Sequence, residues 1–157
     1  MKRSTPLKRS TKPMKRTKLK TKTCLKKKSK QKISVLQRKL WQLCREICKA
    51  NCPNSCFTCS QTALTGANFQ IGHLWPKASL GAFLKYDMRV LRPQCFRCNI
   101  HLGGNGAVFY ERVLREIGES DMEKLQADRQ VIVKAYPHYE KLLLDYTKIL
   151  ENLNKIQ

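Results

Sequence analysis

Acidic residues are scarce where basic ones abound. The first 34 residues contain no aspartate or glutamate, and Asp87 is the sole carboxylate between Lys49 and Tyr110. Any acid-dependent chemistry in the middle of the chain therefore has one local candidate. Long apolar runs are missing too. The opening Met1-Lys2-Arg3-Ser4-Thr5-Pro6 has no apolar stretch of the kind that directs export. Residues 50–76 carry no charged side chain, but their Asn, Gln, Ser, Thr, Gly and Pro content does not suit a membrane span. With no export signal, the eight cysteines read as thiols of a reducing compartment, suited to metal rather than disulfides. The expected location is the cytoplasm.

What the chain has in excess is positive charge. Its 157 residues suffice for one compact domain and an appendage. They hold 32 Lys and Arg against 11 Asp and Glu, a formal charge of +21. Fifteen of the basic residues fall in positions 1–34, where Lys2-Arg3-Ser4-Thr5, Lys8-Arg9-Ser10-Thr11 and Lys15-Arg16-Thr17 form a loose repeat. Such a segment has too little apolar surface to fold alone, so residues 1–33 read as a disordered basic tail. A solubilising or import-like run is one reading. A phosphate-gripping arm through Lys2, Arg3, Lys8, Arg9, Lys15, Arg16, Lys26, Lys27 and Lys28 is the preferred one, with nucleic acid rather than a membrane as partner.

From Ser34, read as an N-cap, Leu36, Leu40, Leu43, Cys44, Ile47 and Cys48 recur at helical spacing and predict a helix within 34–53 that ends before Pro53. Cys44, Cys48 and Cys52 on that helix read as small buried apolar residues rather than a second metal site. Strands are expected around Phe69-Gln70-Ile71 and over Met88–Arg92. Three helices follow in a C-terminal extension, 107–157: Ala107–Ile117 ending at Gly118, one opened by a capping box Ser120-Asp121-Met122-Glu123, and one with Pro137 in its first turn. The last carries an apolar stripe, Tyr139, Leu142, Leu143, Tyr146, Ile149, Leu150 and Leu153, read as packing on the first helix, with a homodimer interface as the second reading.

The most specific signal is Cys56-Phe57-Thr58-Cys59 followed by Cys95-Phe96-Arg97-Cys98. Two C-x-x-C pairs supply four thiolates for a tetrahedral, structural Zn²⁺. The 35 residues between the pairs exceed a compact zinc ribbon, so something is inserted within the module, 54–106. Inside the insert, His73 ends the first expected strand 14 residues after Cys59. Asn99 and His101 directly follow the second pair, so a shared zinc tethers Asn99 near His73. A neutral imidazole there can take a proton from water. A structural histidine is the competing reading.

These residues resemble those of the HNH, or ββα-metal, nucleases, and more closely the bacteriophage NinG (Rap) recombination proteins. The likeness is carried by Cys56-x-x-Cys59, Gly72-His73, Gln94 to His101, Gly104-Asn105 and the stretch from Tyr110 to Gly118. It implies an α+β fold: a small zinc-braced ββα-metal module with flanking helices. It also implies a phage- or prophage-encoded endonuclease in the bacterial host, acting on branched DNA such as D-loops or Holliday junctions. By the same resemblance His73 is the general base, Asn99 a ligand or orienter of a catalytic Mg²⁺ or Mn²⁺, and His101 a second candidate for that shell. Lys77, Arg92 and Arg97, with Lys85 and Arg89, then grip the DNA backbone.

The chain departs from that pattern at two places. Gln70, Ile71 and Gly72 stand where many HNH nucleases place an acidic ligand, and no asparagine precedes the second knuckle near Val90. Asp87 is either the missing acid or a turn residue. These gaps sustain an alternative function, a zinc-stabilised DNA-binding protein of recombination without catalysis.

Overall fold

The computed structural model describes residues 21–156, with side chains described from Lys32 to Lys155. The arm residues Lys2 to Arg16 lie outside the described residues, and Lys26, Lys27 and Lys28 outside the described side chains. The elements run α1 (Thr21–Asn51), β1 (Gln70–His73), β2 (Leu91–Gln94), α2 (Gly106–Ile117), α3 (Glu119–Asp128) and α4 (Ala135–Ile156). Short 3₁₀ turns precede each strand and follow β1, and a π-helical turn spans Arg97–His101. The architecture is α+β, with a two-stranded sheet among helices.

Helix α1 begins at Thr21, not at Ser34, so the expected N-cap lies inside the helix. Between Thr21 and Ile33 the chain has neither proline nor glycine and is dominated by lysine, a good helix former, so nothing local stops the helix. It ends at Asn51, ahead of Pro53 as read. Helix α4 lies along α1 as its main helical partner. Tyr139 and Tyr146 of the stripe are buried, Leu142, Leu143, Leu150 and Leu153 pack at the core's edge, and Ile149 remains exposed. That face is thereby taken up within the chain.

Strands β1 and β2 pair antiparallel, Gln70 opposite Gln94 and His73 opposite Leu91. The expected second strand is displaced toward the C-terminus, because Met88–Val90 forms a 3₁₀ turn. Asp87 causes this. Its carboxylate accepts the Arg89 backbone N–H at 2.9 Å and pairs with the Arg89 guanidinium at 2.7 Å. A short polar side chain that satisfies a turn amide competes with strand pairing. Asp87 is thus a turn residue.

The capping box at Ser120 is also replaced. Helix α3 starts at Glu119 on Gly118, whose φ of 80° only glycine adopts freely, and no side chain caps it. The connection 103–105 runs left-handed through Gly103, Gly104 and Asn105.

The core joins both halves around Tyr86. Its ring meets Tyr139 edge-on at 5.2 Å, and its carbonyl accepts the Tyr146 hydroxyl at 2.7 Å and the Cys44 thiol at 3.5 Å. The loop between the strands is thereby held by α1 and α4. Cys44 and Cys48 are wholly buried, the small apolar role read for them, whereas Cys52 is only half-buried; burial pushes Cys44 up to about 12.

Candidate metal centre and adjoining cleft

Strand β2 organises both cysteine knuckles. The second begins at Cys95, directly after the strand, and the first is tied to it by the Phe57 N–H donating to the Pro93 carbonyl at 2.8 Å. Helix α2 braces the first knuckle from outside. Arg112 donates to the Phe57 carbonyl at 2.6 Å, and the Phe57 and Phe109 rings meet at 5.0 Å.

The four sulfurs of Cys56, Cys59, Cys95 and Cys98 all lie within 4.8 Å of one another, and Cys59 and Cys95 approach to 3.8 Å. A zinc–sulfur bond of about 2.3 Å sets a tetrahedral edge of roughly 3.8 Å, so this spacing fits zinc. The Cys98 amide donates to Cys95 Sγ at 3.4 Å, as a knuckle requires. The thiols also conflict electrostatically. Burial raises Cys56, but hydrogen bonds from Thr58 and surrounding amides outweigh it and bring the thiol down to about 6. Cys98 is pushed up to about 12, by burial first and by its cysteine neighbours. A divalent cation removes this conflict by neutralising the thiolates together.

A buried relay supports the cluster. Gln94 Nε2 donates to the Gly104 carbonyl at 2.8 Å and to Thr58 Oγ1 at 3.1 Å, which leaves the Thr58 hydroxyl proton for Cys56 Sγ at 3.4 Å. Both residues are buried. Such outer contacts orient metal ligands. Among the described residues Gln94 Oε1 has no hydrogen-bond partner, and it faces Gly72.

Beside this cluster lies a cleft of about 430 Å³, with His73 and Asn99 both in its lining along with Trp41, Trp75, Lys77 and Ile100. His73 enters from the end of β1 and Asn99 from the π turn, so the second knuckle brings the two together. The His73 ring lies flat on Trp41, centroids 5.4 Å apart, and its Nε2 is 3.2 Å from the Lys85 carbonyl. A carbonyl only accepts, so Nε2 carries the proton and Nδ1 keeps its lone pair. Burial, followed by the charges of Lys77 and Lys85, lowers His73 to about 4, and the imidazole is neutral at pH 7. Lys77 Nζ sits 4.2 Å from the Trp41 ring centre, and burial lowers its own pKa.

His101 is not in this lining. It is exposed, with its ring edge-on to Phe96 at 5.2 Å. Arg92 is not in the lining either. Its guanidinium bonds Glu116 at 2.9 Å and the Leu91 carbonyl at 2.7 Å. Arg97 is exposed on the π turn. Trp41 is the residue that sequence reasoning missed. It lies on the partly apolar side of a helix outside the zinc module, and nothing in its spacing pointed to His73.

A family model described as bacteriophage lambda NinG protein matches residues 1–156. The chain belongs to the NinG family. No curated protein and no solved structure matches it. The match takes in the segment before α1 and helix α4 as well as the cysteine cluster. Among the described residues no helix is long and apolar enough to cross a membrane.

The residues of the cleft do not fit a preformed Mg²⁺ or Mn²⁺ site. Such ions favour carboxylate oxygens, and the lining offers the Asn99 amide and no Asp or Glu. Asp87 is committed to Arg89.

Proposed function

We propose that this NinG-family protein acts in phage recombination in the host cytoplasm as an HNH-like endonuclease on branched DNA, with His73 as general base. The observation that carries the reading is the shared cleft of a neutral His73 and Asn99, set against a four-cysteine cluster in a strongly basic chain. His73 Nδ1 takes a proton from a bound water, whose oxygen attacks the phosphorus as the bond to the 3′-oxygen breaks, and the leaving 3′-oxygen takes a proton from solvent. The Lys77 ammonium balances phosphate charge at the mouth of the cleft, and Asn99 orients the phosphate through its amide. Arg97 and the N-terminal arm hold the flanking backbone.

The alternative is a DNA-binding recombination protein without catalysis. The carboxylate-free cleft favours it. Incubation of wild type and His73→Ala with a labelled four-way junction, in Mg²⁺ and separately in Mn²⁺, decides between them. Cleavage by wild type, lost in a variant that still binds, is the expected result. Tight binding with no cleavage in either metal selects the alternative.

A further inference from the structure

Three large apolar side chains stand in solvent at the end of the second knuckle: Phe96 is 41% exposed, Ile100 53% and Leu102 50%. They fall within one short turn whose backbone is fixed. The Phe96 amide donates to Asn68 Oδ1 at 2.9 Å, Asn99 N to the Cys95 carbonyl at 3.0 Å, and Leu102 N to the Arg97 carbonyl at 3.0 Å. Ile100 also lines the cleft, next to Asn99. The other exposed apolar residues described, Val35, Val131, Ile132, Leu144 and Ile149, sit on different elements. Exposed apolar groups gathered on one hydrogen-bonded turn mark a contact surface.

The charges around the turn select the occupant. Arg97 is exposed on the same turn, and Lys77 stands in the cleft that Ile100 borders. The sole carboxylate of residues 50–110, Asp87, is held by Arg89. A partner for this surface must be anionic and still offer apolar faces. Nucleobases do so where a duplex opens, because each then exposes its ring face beside its phosphate.

We infer that Phe96, Ile100 and Leu102 form a wedge that packs against bases unstacked at a DNA branch, and so deliver the adjoining strand to the cleft. The inference rests on the proposed action on branched DNA. It adds the feature that distinguishes a branch from continuous duplex. Arg97 meets the phosphate beside the opened step, while the apolar side chains replace the lost stacking.

The test uses the full, zinc-loaded chain without added Mg²⁺ or Mn²⁺. It measures the ratio of Kd for linear duplex to Kd for a four-way junction of equal length. Wild type is expected to prefer the junction. In Phe96→Ala/Ile100→Ser/Leu102→Ser the ratio should fall about tenfold, the scale of one lost stacking contact, with zinc content unchanged. If the triple variant loses zinc, Leu102→Ser alone should still lower the ratio. An unchanged ratio in a zinc-retaining variant overturns the wedge, as does a wild type without junction preference. Wild-type self-association that the variant abolishes, at an unchanged ratio, gives the surface to a second copy and also overturns it. Junction preference that depends on the wedge, in a protein that never cleaves, would sink the nuclease reading and leave the wedge standing.

Discussion

The imidazole of His73 stacks on the indole of Trp41 with the ring planes 8° from parallel. Lys77 is held over the same indole, so one side chain from α1 touches both the proposed base and a cation of the cleft. The zinc-binding segment therefore does not complete the cleft alone. Helix α1, anchored by α4, supplies a wall.

Removing that wall should change the titration of His73. Its pKa stands at about 4 in the fold against 6.5 when exposed, with burial as the main cause. The unfolded chain thus binds the extra proton between these values. Stability from this group is full above pH 6.5 and declines as pH falls toward 4. In the wild type the acidic limb of any cleavage profile should lie near pH 4. Trp41→Ala exposes the ring and should move that limb up by roughly one to two pH units, with slower cleavage. NMR titration of His73 gives the same readout without catalysis. An unmoved His73 pKa would rule out the proposed role of Trp41.

Metal removal should dissolve the centre of the molecule. Purified protein is expected to hold one zinc per chain. Chelation, or Cys95→Ser, should cost on the order of 10 kcal/mol of binding-coupled folding energy and loosen β1, β2 and α2. Metal analysis with circular dichroism tests this. Full helicity and an unchanged melting temperature in the metal-free protein would contradict a structural zinc.

Gly72 and Gln94 should be coupled. A Cβ placed at Gly72 would lie 2.0 Å from Gln94 Oε1. Gly72→Ala should therefore push the buried amide off Thr58 and Gly104, at a cost of about 1–3 kcal/mol. Shortening the neighbour, in Gly72→Ala/Gln94→Ser, should recover part of the clash energy. Denaturant unfolding of both single variants and the double gives the coupling, and simple additivity would show that the two side chains do not meet.

The arm should set affinity but not selectivity. Deleting residues 1–20, which hold nine Lys and Arg, should flatten the dependence of log K on log salt. The slope loses about 0.9 for each phosphate no longer neutralised. The ratio of junction to linear binding should stay constant. An unaltered salt slope would move the phosphate grip into the folded part.

Motifs that act through near neighbours were legible in the chain. The two C-x-x-C pairs announced a four-thiol cluster, Gly72-His73 a strand end, Pro53 a helix stop and Pro137 a first turn. Each depends on spacing or on a backbone restriction that one residue imposes. Failures came where local signals compete. Asp87 captured the Arg89 amide and turned an expected strand into a 3₁₀ turn. Gly118 started α3 before the capping box could. Lysine-rich sequence from Thr21 carried α1 past the cap expected at Ser34.

By itself, the sequence determined the cysteine cluster, the basic excess and the mixture of helices with a small sheet, because residue type and local spacing are enough for each. The shared cysteine cluster already placed Asn99 near His73, but tertiary structure alone decided that His101 and Arg92 lie outside the cleft those two line. It also decided that Trp41, 32 positions before His73, forms the wall. Those relationships arise from the packing of α1 and α4 around Tyr86 and from the anchoring of both knuckles to β2. Contacts between distant segments leave no periodicity in the chain to be read.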